Sequence, residues 1–145
     1  MYDIVKMLHS YWAYLVLFTL LLAVLNAVFG LSGKKEYDAK AFRISLFGLI
    51  VAHIQLLIGL ILYFVSPMFD LWSEMGGEVM KTASVRLYLV EHPFVNILAV
   101  ALITIGYSKH KKKLASASKF KTITIFYLIA LVLFLSRIPW DKWPN

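Results

Sequence analysis

The chain has no cysteine among its 145 residues. That excludes disulfides, zinc–thiolate sites, iron–sulfur clusters and covalent haem attachment through CxxCH. Charge is also scarce. Only 16% of the residues are charged, and 8 acids face 15 lysines and arginines. Soluble domains carry about 25% charged and about 45–50% apolar residues, whereas 61% of this chain is hydrophobic. A chain of this length has too much surface for its volume to hide that excess, which excludes a water-soluble globule. The same hydrophobicity excludes disorder. Nucleotide-binding and hydrolytic signatures are missing too: there is no GxGxxG, P-loop, HExxH or GxSxG.

What the chain does have is apolar length. A membrane-crossing helix needs roughly 20 mostly apolar residues. Four segments meet that, at about 11–31, 44–65, 87–107 and 123–138. The first is too long for the core of a signal peptide and lacks a small-x-small cleavage site, so it is expected to stay in the mature protein. Gly30 and Gly33, Ser66-Pro67, Gly106, and Pro139 with Pro144 punctuate the ends. The sequence therefore predicts one all-α domain, an integral membrane four-helix up-down bundle. The middle loop, with Gly76-Gly77, has room for a short helix lying on the membrane surface. Trp12, Trp72, Trp140 and Trp143 fall at predicted interfaces on one side, as an aromatic belt would.

The net charge of +7 divides unevenly across these spans. Loops 32–42 and 108–120 with their borders hold ten lysines and arginines and two acids, or +8, while the other side holds five and six, or −1. Cytoplasmic loops are enriched in Lys and Arg. Both loops are thus expected in the cytoplasm, with both termini on the outer side of a cell inner membrane. The Lys109–Lys113 run then reads as a topogenic loop on anionic lipid, with no nucleic acid as partner. His110 within it is expected to be solvated.

Ionisable groups within apolar spans are candidate functional residues. His53 lies mid-span in the second segment, His92 in the outer part of the third, and His9 at the outer mouth of the first. Neutral imidazoles in an apolar bundle suit the iron of a non-covalent haem b, and Arg86 and Arg137 would be the cations for its carboxylates. Counting from the first inner charge of each span at ~1.5 Å per residue puts His53 ~15 Å, His92 ~25 Å and His9 ~37 Å deep. Depth favours His53 with His92 as haem-iron ligands. Position in an up-down bundle favours His9 with His92, on diagonal spans one and three, so His9 stands as the alternative. Gly48 and Gly59 flank His53 and would admit a flat ring. Asn96, one turn from His92, could orient it, and Gln55 could play a similar part or simply bond a neighbouring helix. Glu91 is expected to pair with Arg86 or Arg137. The plain alternative for each histidine is a hydrogen bond to a neighbouring helix. Trp12, Thr19 and Asn26, at heptad spacing, read as a helix-contact stripe.

A weak internal repeat links His9-Ser10 with His92-Pro93 at the openings of the odd spans, as two parallel helical hairpins would produce.

With His9-Ser10, Ala52–Gly59, Arg86–Pro93 and Ser136–Trp140 in view, the chain resembles the small four-helix, cytochrome b-like membrane proteins of bacteria, over nearly its whole length. The resemblance implies haem b held by residues matching His53, His92 or His9, and electron transfer with quinone or an outer redox partner. A looser similarity to haem-binding four-helix units of haem-biosynthesis enzymes implies a porphyrin or quinone substrate instead. A third reading is a cofactor-free accessory subunit of a larger membrane complex, or an oligomer in the lipid bilayer.

Overall fold

The computed structural model describes residues 1–144. It is all-helical. Helix α1 spans Tyr2–Ser32, α2 spans Ala39–Val65, α5 spans His92–Lys111 and α6 spans Ser116–Ser136. Between α2 and α5 lie 3-10 turns at Pro67–Asp70 and Gly76–Lys81, the short helices α3 (Leu71–Met75) and α4 (Ala83–Arg86), and a π-turn over Leu87–Glu91. Among the described residues four helical stretches are long and apolar enough to cross a membrane: α1, α2, Ala83–Lys111 and α6.

Local chemistry sets the boundaries. The Asp38 side chain caps α2 by accepting from the Ala41 amide at 2.9 Å. Ser66 turns extended and Pro67 follows it, so α2 stops there. Gly76 takes a φ of 57°, which permits the sharp turn after α3. Pro93 has no N–H to give the Leu89 carbonyl four residues earlier. The backbone widens into the π-turn at this point, and the Tyr63 hydroxyl donates to the Leu89 carbonyl at 2.9 Å.

Packing runs in a ring. Helix α1 lies against α2 and α6, and α5 lies against α6 and α2, so α1 and α5 are diagonal. Both termini sit at one end, called here the terminal end, where the Trp143 ring packs on Tyr14 at 4.8 Å and its indole N–H donates to the Ser10 carbonyl. The α1–α2 and α5–α6 connections mark the other, hairpin end. A continuous buried core runs through the bundle and includes Leu20, Ala23, Val51, Ile103, Ile123 and Tyr127.

All four apolar helical stretches run beyond the bounds expected from the sequence. Helix α1 begins nine residues earlier, at Tyr2, which carries His9 inside the helix and away from its mouth. Helix α6 begins at Ser116, because lysines do not interrupt a helix: Lys121 is exposed and Lys119 lays its ammonium over the Tyr37 ring at 5.7 Å. The middle loop holds the short helix α3 between two 3-10 turns. The Trp12 indole donates to the Val51 carbonyl on α2 at 2.9 Å, as a helix-contact residue would.

Candidate functional site

A cavity of about 590 Å³ opens among the four helices toward the terminal end. On α1 its wall follows Tyr2, Lys6, His9, Ala13 and Val16, the spacing of one helix face. Ala52, Gln55 and Gly59 face it from α2, His92, Asn96 and Val100 from α5, and Phe134 from α6. The volume is within the roughly 300–1,000 Å³ range of ligand and cofactor pockets.

His9 and His92 meet here from the diagonal helices, with ring centroids 6.1 Å apart and planes at 80°. The His92 Nδ1 lies 2.8 Å from the Arg137 carbonyl oxygen. A carbonyl only accepts, so Nδ1 carries the proton and Nε2 keeps its lone pair for a ligand. The Asn96 amide donates to the His92 backbone carbonyl at 2.5 Å, so it ties the helix turn beneath His92 and leaves the ring itself to Arg137. On the other side, Gly59 gives His9 its room: a Cβ there would stand 3.1 Å from His9 Cε1. Gln55 donates to the His9 backbone carbonyl at 2.8 Å. Two buried polar atoms have no partner among the described residues, His9 Nδ1 and Gln55 Oε1. Buried polar atoms are nearly always paired, and both of these belong to residues that line the cavity.

Depth counting placed His9 and His92 some 12 Å apart because it started from the first charged residue. Counted from the helix ends, His9 is 23 residues from Ser32 and His92 is 19 from Lys111, a difference of four residues or ~6 Å.

His53 is not brought to His92. It lies exposed on the outer surface of α2. Its Nδ1 donates to the Leu49 carbonyl of its own helix at 2.8 Å, and Nε2 is 3.1 Å from the Thr104 hydroxyl of α5. The pair favoured by depth is therefore not the pair the fold assembles, because position 53 points away from the bundle axis. Gly48 likewise faces Tyr127 and not a pocket.

Arg86 and Arg137 do not line the cavity either. Both turn to Glu91: Arg86 Nε stands 2.6 Å from one carboxylate oxygen and Arg137 Nε 3.5 Å from the other. Arg86 also donates to the Met80 carbonyl at 2.8 Å. The ion pairs anticipated for Glu91 are present with both arginines. Through them Glu91 braces the segment whose Arg137 carbonyl holds His92. The charged residues that do line the cavity are Lys6 and Lys142. Sequence reasoning used them only for topology. The available signal was spacing, since Lys6 is three residues before His9 and shares its helix face.

His110 is not solvated, as its place in the lysine run suggested, but fully buried at 0% exposure. Helix α5 continues to Lys111, so His110 turns inward among Tyr37, Phe42 and Tyr107. Its Nδ1 donates to the Tyr107 carbonyl, and its Nε2 is 2.8 Å from the Tyr37 hydroxyl. Burial pushes the Tyr37 phenol above its ordinary pKa, opposed in part by the Ser45 hydrogen bond. The phenol stays neutral and keeps a proton to give to Nε2.

Among the described residues there is no cluster of three or more metal-ligating side chains. The His9–His92 pair could thus hold a metal only if the remaining ligands arrived with it, as in a macrocycle. The unpartnered Nδ1 of His9 and the Nε2 lone pair of His92, left over by its Nδ1 bond to Arg137, are the donors that such a group would use.

The fold and this site define a four-helix bundle of membrane-spanning length with a histidine-paired cavity at one end. The chain matches no protein-family model, no curated protein and no solved structure.

Proposed function

We propose that this is a haem b-binding protein of the bacterial inner membrane, in which His9 and His92 would hold the haem and whose task is electron exchange. The observation that carries the reading is the diagonal histidine pair, 6.1 Å between ring centres, over a cavity of about 590 Å³. Haem b, when bound, supplies one-electron redox chemistry to a quinone or an outer redox partner. The protein's own groups do the rest. Arg137 fixes the tautomer and orientation of His92 through its carbonyl, the role a backbone oxygen commonly takes behind a ligating histidine. Gly59 lets His9 lie close against α2. Leu56, Val100 and Phe134 line the cavity with apolar surface and limit access of water. In this reading the terminal end faces outward and the lysine-rich hairpin end faces the cytoplasm.

The test is a reduced-minus-oxidised spectrum of protein made with haem available and purified in detergent. A b-type band is expected. His9→Ala and His92→Ala should each abolish it, and His53→Ala should leave it. Colourless protein that copurifies with other subunits would replace this reading with the accessory-subunit one.

A further inference from the structure

We propose that the carboxylate end of the bound macrocycle is held by Lys6 and Lys142 at the outer mouth of the cavity, and that Arg86 and Arg137 do not serve it. The inference rests on the haem reading above. It follows from where this end of the molecule spends its charges. The terminal side carries five lysines and arginines and six acids, yet the two charged residues lining the cavity are both lysines.

Each lysine is placed by a separate device. Lys6 sits one turn outward from His9 on the cavity-facing stripe of α1, ~4.5 Å along the axis. Its ammonium lies 5.8 Å from the centre of the Tyr2 ring, another wall residue, and such contacts restrain an exposed cation. Lys142 belongs to the turn after Pro139, where its amide donates to the Pro139 carbonyl at 2.9 Å. That turn is anchored to α1 through Trp143, by its contacts with Ser10 and Tyr14. Both lysines therefore line the cavity near the seam between α1 and the C-terminal segment, and among the described residues neither forms a salt bridge. The arginines are committed to Glu91.

A ligand with an apolar body and two carboxylates would enter body first, toward the histidines, and leave its anionic edge at the lysines in contact with water. The lysines would thus set which way round it lies.

The experiment titrates the haem-free full-length chain in detergent with haemin and with haemin dimethyl ester, following the Soret absorbance. Exposed charge pairs contribute modestly, so the wild type should prefer the free acid by about ten-fold. The preference should shrink in high salt, where exposed charges are screened. Lys6→Gln with Lys142→Gln should bind both forms equally and keep the band. Lys6→Arg with Lys142→Arg should keep the preference and serves if the glutamine pair fails to fold. Arg86→Gln should keep it as well. Equal binding by the wild type, or an undiminished preference in the glutamine pair, overturns the inference and leaves the haem reading standing. Loss of preference in Arg86→Gln alone assigns the carboxylates to Arg86 and also overturns it. No Soret change with either compound overturns both readings.

Discussion

The two ends of this bundle are built from the same four helices and similar residues, and they differ in whether their polar groups are satisfied. At the hairpin end, His110, Tyr37, Ser45 and Tyr127 form a closed network. The Tyr37 hydroxyl is 3.0 Å from Ser45 Oγ, and the Tyr127 hydroxyl donates to the Ser45 carbonyl at 2.7 Å. Helices also approach closely there: a Cβ on Gly30 would stand 2.5 Å from the Phe120 ring, and one on Gly106 would overlap Phe126 Cβ. At the terminal end, His9 and Gln55 each keep a buried atom without a partner, beside a cavity of about 590 Å³. The contrast teaches that a histidine in an apolar bundle is not informative by its type. His110 completes a packed core. His9 and His92 border open volume, and unpaired capacity beside open volume is what a ligand site requires.

Substitutions at both ends can sharpen or break that comparison. The largest effect is expected from Gly106→Leu. Phe126 Cβ is fixed to the α6 backbone and cannot swing aside, so overpacking should cost about 3 kcal/mol or more. A detergent unfolding curve unchanged by this substitution would refute tight packing at the hairpin end. Next comes His110→Ala, which empties a fully buried site and removes one of the Tyr37 hydroxyl's partners while Ser45 remains. The void and the lost hydrogen bond together should cost about 2 kcal/mol, and the same unfolding measurement reads it. Tyr127→Phe loses one hydrogen bond to a buried carbonyl and should cost about 1 kcal/mol; a null result there would make Ser45 O satisfied without Tyr127. The smallest stability effect is expected at the terminal end. Gly59→Ala places its Cβ 3.1 Å from His9 Cε1, but the ring can yield into the cavity. Stability should move by no more than about 0.5 kcal/mol, while haem affinity falls. If Gly59→Ala unfolds the protein as Gly106→Leu does, the two ends are packed alike and the cavity has no independence.

The sequence made the four helices legible because membrane-spanning length is a local property. A run such as Leu15–Leu25 needs no partner to be recognised. Stop signals at Ser66-Pro67 and Pro139 are local too, and so is the +8 against −1 division of charge. The ion pairs of Glu91 with Arg86 and Arg137 could be anticipated because Arg86 lies five residues away and Arg137 at the same end.

Side-chain direction was not legible. His53 and His92 are both histidines inside apolar runs, and helical phase relative to three neighbours decides that one lies on the exposed outer surface and the other at a cavity. With apolar residues on every side of each helix, there is little amphipathic pattern from which to read that phase. The same gap hid Lys6, Lys142 and His110. The one-dimensional pattern determined the number of long apolar helices and their antiparallel order, since both follow from hydrophobic runs separated by short polar loops. Which diagonal pair of histidines meets, which cations face the cavity and which polar groups are paired were decided by the rotation and relative height of the packed helices. These follow from close packing at sites such as Gly30, Gly59 and Gly106, where the absence of a side chain lets one helix settle against the next.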